Sequence, residues 1–219
     1  MRITVFGATG GVGGEIVRQA LAAGHEVTAV VRDAARLRVP AASGPGAGRL
    51  VVARADPSRS GAALREAVAG RDAVLSGLGA RRAADAEAGI TTRLTRSVLS
   101  AMEAEGTRRL LVVSAAPLGR APADEPLADR AIGVLVGAVY RRIYADLRTM
   151  EAELERSSAD WTSVRPPRLL DGPLTGVYRM ETGGNPRSAR TIARADVAHA
   201  MLALVGDAAS VRQGVGVAY

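Results

Sequence analysis

Short β-branched runs alternate along this chain with longer stretches whose apolar residues recur at helical spacing. Ile3 to Phe6 reads as a strand that runs into glycine, after which Val12, Ile16, Val17, Ala20 and Leu21 follow a 3.6-residue period up to the stop at Gly24. Glu26 to Val31 and Leu50 to Ala53 read as the second and third strands, and Ala62 to Ala69 as a helix closed by Gly70. Ala73 to Ser76 makes a fourth strand, a long helix is expected over Ala86 to Glu105, and Leu110 to Ser114 makes a fifth strand. Arg141 to Ser157 reads as a helix and Thr162 to Val164 as a strand. Ala195 to Val205 is the last helix, before the strand Val215 to Val217. Strands separated by helices of this length require crossover connections, hence parallel strands covered on both faces. The pattern predicts an α/β Rossmann-type doubly wound parallel sheet. It is expected to form a single domain over residues 1–219, with a small substrate-side lobe built from 115–140 and 166–190.

The first strand-to-helix turn reads Gly7-Ala8-Thr9-Gly10-Gly11-Val12-Gly13-Gly14, with glycines at 7, 10 and 13. Glycine tolerates the positive φ of so tight a turn. Without side chains, a pyrophosphate can approach backbone N–H groups and the positive end of the helix dipole. Gly13 or Gly14 would let the helix pack closely on the strand. A glycine pattern alone is weak evidence, but this one follows a strand and opens an amphipathic helix, which is the context a dinucleotide site requires.

The end of the second strand discriminates between dinucleotides, an acid there suiting the ribose 2′-hydroxyl and an arginine the 2′-phosphate. Here Arg32 stands 25 residues after Gly7, with Arg36 one helical turn further on and Asp33 placed to cap that turn. NADP(H) is therefore expected over NAD(H), the alternative being that Arg32 is an uninvolved surface cation.

Composition narrows the class. The net charge is +7, and since the chain has no lysine, all 29 cations are arginine. They are scattered among acids, and aromatics make up 3% of the residues, so the clustered cations and stacking rings of a nucleic-acid reader are missing. The absence of cysteine excludes disulfides and thiol nucleophiles, and two histidines, His25 and His199, are too few for a histidine-rich metal centre. The longest apolar run, Ala131 to Tyr140, has ten residues against the roughly 20 needed to cross a bilayer. No secretory leader is evident. The expectation is a cytoplasmic protein, monomeric or weakly dimeric, acting on a small molecule.

The chain resembles the atypical short-chain dehydrogenase/reductases in their NmrA-like, NAD(P)H-binding branch, and most of all the flavin reductases of the biliverdin reductase B type. The resemblance runs nearly end to end through Gly7-Ala8-Thr9-Gly10, Val31-Arg32-Asp33, Leu78-Gly79-Ala80-Arg81, Ser114 and Arg165-Pro166-Pro167. Its most specific pieces are Asp171-Gly172-Pro173-Leu174-Thr175-Gly176-Val177-Tyr178 and Ile192-Ala193-Arg194-Ala195-Asp196-Val197-Ala198-His199. It implies that Gly7, Thr9, Gly10, Gly11 and Val12 cradle a pyrophosphate and that Arg32 and Arg36 meet the 2′-phosphate. It further implies that Asp56 meets the adenine, that Leu78, Gly79 and Arg81 line the middle of the cofactor, and that Pro166 and Pro167 lie near the nicotinamide. Asp56 has a simpler alternative as a turn residue before Pro57.

The chemistry is less defined. Short-chain reductases generally use a tyrosine with a lysine four residues on, and this chain has no lysine. Tyr144 and Arg148 have that spacing, but aligning the Leu154 to Trp161 stretch puts the dyad positions at Ile143 and Leu147, about 100° around the helix. Arginine cannot shuttle a proton at working pH. The resembling flavin reductases use instead a serine ending strand five and a histidine after the Pro-Pro. Ser114 occupies the first position and Arg168 replaces the second. Ser114, Arg168 and Tyr144 are the candidate catalytic residues. Two readings stand: an NADPH-dependent reductase of a small cyclic or aromatic acceptor, and a non-catalytic NAD(P)-sensing regulator.

Overall fold

The computed structural model describes residues 1–38, 46–59, 61–80 and 83–219. The order is β1 (Arg2–Phe6), α1 (Gly11–Ala22), β2 (Glu26–Val31), a short 3₁₀ turn (Ala34–Arg36), β3 (Leu50–Arg54), α2 (Ala62–Val68) and β4 (Ala73–Ser76). There follow α3 (Ala83–Glu87), α4 (Ile90–Glu105), β5 (Arg109–Val113), α5 (Leu127–Val139), α6 (Arg141–Arg156) and β6 (Asp160–Arg165). The chain ends with β7 (Arg168–Leu170), β8 (Arg179–Thr182), β9 (Thr191–Ala193), α7 (Arg194–Leu204) and β10 (Gln213–Ala218).

Eight strands form one sheet in the order β3-β2-β1-β4-β5-β6-β10-β8, and β7 pairs with β9 in a small sheet beside it. β1 is central, with Val5 beside Ala29 of β2 on one edge and Leu75 of β4 on the other, both in parallel register. Winding reverses across β1 and β4, which opens a crevice beyond their carboxyl ends. This is the Rossmann-like α/β single domain that the periodicity predicts.

Side-chain alternation assigns each face its own core. Ile3, Val5, Ala73 and Leu75 pack with Ile16, Val17 and Leu21 of α1 and Val197, Met201 and Leu204 of α7. On the other face Phe6 and Val74 pack with Leu64 and Val68 of α2, Val98 and Met102 of α4, and Leu147, Met150 and Leu154 of α6.

The structure corrects the predicted elements in three places. The helix expected over Ala86 to Glu105 is broken in two. Gly89 adopts φ +61°, and the Asp146 carboxylate on α6 accepts hydrogen bonds from the backbone N–H groups of Thr91 (2.9 Å) and Thr92 (3.1 Å), so a side chain caps α4 where a continuing helix would have run. The sheet is not wholly parallel, because β8 adds an antiparallel edge to β10. Finally, α5 carries the 127–139 region as a helix that buries none of its residues. No described helix is long and apolar enough to cross a membrane.

α5 is fastened by polar contacts. Glu125 accepts the backbone N–H of Ser188 at 3.1 Å, and Asp129 takes both the Ser188 hydroxyl (2.9 Å) and an ion pair from Arg190 (2.6 Å). Arg120 and Gly184 form an isolated bridge, joining segments 115–140 and 166–190 at the same edge.

Candidate functional site

A cleft of about 1670 Å³ lies along the carboxyl ends of the sheet. Its floor is the turn between β1 and α1. Gly7 holds φ +75°, and its carbonyl accepts the Gly10 N–H at 2.8 Å. A Cβ on Gly13 would fall 2.2 Å from the Gly7 oxygen, and one on Gly77 would fall 2.9 Å from the Gly13 nitrogen, so three backbones meet here without side chains. Of the two glycines the sequence left open for close packing, Gly13 is the one that needs it, since a Cβ on Gly14 would meet Ala8 at an ordinary 3.4 Å. Gly10 supplies no side-chain cap to α1 and no acid sits in the first turn, which leaves first-turn N–H donors and the helix dipole facing the cleft.

Gly7, Thr9, Gly10, Gly11, Val12, Arg32, Asp56, Leu78 and Gly79 all line this cleft, as do Ser114, Tyr144, Pro166, Pro167 and Arg168. Arg81 falls outside the described residues. Arg36 does not share the cleft with Arg32. It lines an adjoining recess of about 280 Å³ with Arg38, Ala35, Thr9, Gly10 and Gly14, because the 3₁₀ turn carries it around the glycine-rich turn. Asp33 caps that turn, accepting the Ala35 N–H at 3.0 Å. Asp56 accepts the Ser58 N–H at 3.0 Å, and this bond, the Ser58 hydroxyl and the nearby Arg32 and Arg59 hold its carboxyl below the usual carboxylate range. Asp56 therefore both ends its own turn and faces the cleft as an anion.

At the far end, Ser114 stands one residue past β5. Its N–H donates to the Val164 carbonyl at 2.8 Å, and Ala116 N–H donates to the Pro166 carbonyl at 2.8 Å, which ties the β5 and β6 exits together. The Ser114 Oγ is buried and has no hydrogen-bond partner among the described residues. Leaving a buried hydroxyl unpaired costs about 1–3 kcal/mol, and this one belongs to a residue of the cleft wall. Arg168 is exposed at the rim of the cleft.

The tyrosine–arginine dyad is not assembled. Ile143, Tyr144 and Leu147 face the cleft, whereas Arg148 is exposed and outside its lining. Burial pushes the Tyr144 phenol above its ordinary pKa, and Tyr140, with ring centroids 6.1 Å apart, adds to the shift. His199 is engaged by the Tyr178 hydroxyl at 2.6 Å, away from the cleft lining.

Among the cleft residues that the sequence does not mark as part of the site, one touches the glycine-rich turn. Arg194, the first residue of α7, lies against Gly11: a Cβ there would be 2.5 Å from the Arg194 Cδ. Its guanidinium pairs with Asp171 at 2.5 Å. Its place in the Ile192 to His199 motif was visible, but nothing local says that this motif packs on the first turn of α1.

A family model described as NAD(P)H-binding matches residues 7–208. The chain belongs to this NAD(P)H-binding family. Among curated proteins, the chain is similar to the 3-diazoavenalumate denitrifying reductase of a Streptomyces species, 36% identical over 191 residues that cover 82% of this chain and 59% of that protein. The chain thus spans well under two thirds of that relative's length. Among solved structures, one from Bacillus halodurans, assigned as an NAD-dependent epimerase/dehydratase, is 26% identical with a TM-score of 0.74, covering 100% of this chain and 94% of that one. A Streptococcus pneumoniae protein assigned as an NADH-flavin reductase shares the fold, at 20% identity and a TM-score of 0.75, covering 100% of this chain and 99% of that one. The backbone cradle at Gly7, Gly13 and Gly77 fits the NAD(P)H-binding family's nucleotide, and the unpaired Ser114 hydroxyl fits a ligand group further along the cleft.

Proposed function

We propose that the protein is an NADPH-dependent reductase that delivers hydride to a small cyclic or aromatic acceptor of flavin, quinone or ketone type. Within the NAD(P)H-binding family, the motifs quoted above ally it with the NmrA-like and flavin-reductase branch of the atypical short-chain reductases. The observation that carries the reading is the unpaired, buried Ser114 Oγ in the same cleft as the glycine-rich turn. The reductase named among its relatives supports it.

Bound NADPH supplies a hydride; the chain supplies position and charge. The Gly7–Val12 turn and the α1 N-terminus receive the pyrophosphate, and Arg32 receives the 2′-phosphate through charge-assisted hydrogen bonds. Pro166 and Pro167 form an apolar wall at the Ser114 end. The Ser114 hydroxyl donates to a carboxamide or acceptor carbonyl, and Arg168 holds the negative charge of an anionic or electron-rich acceptor. Tyr144, its pKa raised, stays protonated and orients rather than donates. The hydride that NADPH would supply carries both electrons to the acceptor, and water in this open cleft would supply the one balancing proton.

The test is steady-state oxidation of NADPH with a panel of flavins, naphthoquinones and cyclic ketones, plus an aryldiazonium carboxylate chosen because a relative's name contains a diazo compound. Turnover of one class establishes the reductase. Tight NADP⁺ binding, seen as an upward shift in Tm, with no acceptor reduced would overturn it in favour of a dinucleotide-sensing protein, which the missing dyad also suits.

A further inference from the structure

Arg194 reaches the glycine-rich turn from the opposite half of the sheet. Its stem lies where any side chain on Gly11 would be, with Nε 2.9 Å from such a Cβ, so glycine at 11 makes room for an arginine as well as for a ligand. Its partner Asp171 has a side chain that is 95% exposed, and so loosely held a counter-ion contributes little and is easily exchanged. The acid in the first turn of α7, Asp196, is committed elsewhere: it accepts the N–H groups of Thr175 (3.0 Å) and Gly176 (2.8 Å) and the hydroxyls of Thr175 (2.9 Å) and Tyr219 (2.6 Å). No acid stands in the first turn of α1. A cation with an exposed counter-ion thus overhangs uncapped N–H groups, in the cleft that Ser114 also lines.

We propose that Arg194 is a second arm of the dinucleotide site, closing over the pyrophosphate, and that Asp171 is the counter-ion it exchanges for that anion. The proposal rests on the NAD(P)H reading of the cleft. It divides the labour between the arginines: Arg32 selects the 2′-phosphate, whereas Arg194 grips the part common to both dinucleotides.

Isothermal titration of NADP⁺, NAD⁺ and ADP-ribose into wild type, Arg194→Ala, Arg194→Lys and Asp171→Asn tests it. Arg194→Ala is expected to weaken all three ligands by the same factor, about tenfold or more for a lost charge-assisted hydrogen bond. Arg194→Lys should recover part of the loss, and Asp171→Asn should tighten all three by a few-fold. Gly11→Ala should weaken binding by displacing the arginine, with a smaller effect once Arg194 is alanine. Binding of all three within twofold of wild type in Arg194→Ala, or a loss confined to NADP⁺, overturns the proposal. If Arg194→Ala fails to fold, unchanged binding in Asp171→Asn overturns it instead. Wild type that binds none of the three removes the NAD(P)H reading itself.

Discussion

Gly13 and Gly7 are in backbone contact: a methyl group on Gly13 would lie 2.2 Å from the Gly7 carbonyl oxygen. The neighbours are main-chain atoms of a turn locked between β1 and α1, so nothing flexible can yield. Gly13→Ala is expected to destabilise the fold by about 3 kcal/mol, a fall of roughly 6–12 °C in Tm. Gly14→Ala, one residue on in the same helix, should instead gain about 0.5–1 kcal/mol through helix propensity. Thermal unfolding of the two variants checks the pair; similar losses would contradict the packing.

Ser114 makes opposite predictions for the free and loaded protein. Its Oγ is buried without a partner, so Ser114→Ala should leave the free protein's Tm unchanged or raise it by up to about 4 °C, as burying an unpaired hydroxyl costs roughly 1 kcal/mol or more. The same variant should lose about tenfold in NADPH turnover. A drop in Tm without ligand would mean that the hydroxyl serves the fold.

Tyr144→Phe separates orientation from proton transfer. General acid catalysis contributes about 10²- to 10⁴-fold, so a variant that keeps kcat within a few-fold of wild type shows that the phenol does not deliver the proton. The raised pKa and the absence of Arg148 from the cleft lining both point to that outcome. A hundredfold loss would restore the tyrosine as the acid.

Arg32 sets cofactor preference. Charge-assisted hydrogen bonds to a 2′-phosphate contribute about 1.5–3 kcal/mol, so NADPH should bind roughly 10- to 150-fold tighter than NADH. Arg32→Ala should weaken NADPH and leave NADH nearly unchanged, and added salt should narrow the preference because Arg32 is exposed. Equal wild-type affinities at low salt would count against the assignment. Since Arg36 opens on an adjoining recess, Arg36→Ala should have the smaller effect.

Asp196 predicts the acid limb of stability. Burial works to raise its pKa, but hydrogen bonds from Tyr219, Gly176 and Thr175 outweigh it and hold the carboxyl below the usual range. A folded-state pKa below the unfolded one gives stability that is present above about pH 4 and lost as pH falls through the folded value. Asp196→Ala, which leaves these donors unpaired, should cost roughly 2–4 kcal/mol at pH 7 and flatten the pH dependence of Tm below pH 4. An unchanged acid limb would show that another carboxylate controls it.

The sequence by itself determined the layers and the location of the site. Residues two apart in β1 and three or four apart in α1 declare their buried faces through local periodicity, and a glycine-rich turn between them carries its own stereochemical requirement. The same local logic placed Asp33 as a cap, Arg32 at the cleft and Ser114 at the end of β5. Only the tertiary structure decided what depends on distant segments meeting. Asp146 of α6 ends a helix that the pattern would have continued, β8 turns antiparallel to pair with β10, and the 3₁₀ turn carries Arg36 away from Arg32. Arg148 keeps the spacing of a dyad but leaves the cleft, because a four-residue step sets two side chains about 40° apart on one side of a helix without fixing what each of them meets. Arg194 lies on Gly11 only because α1 and α7 share one face of the sheet. Periodicity reports which side of an element is buried; it holds no information about which remote element buries it.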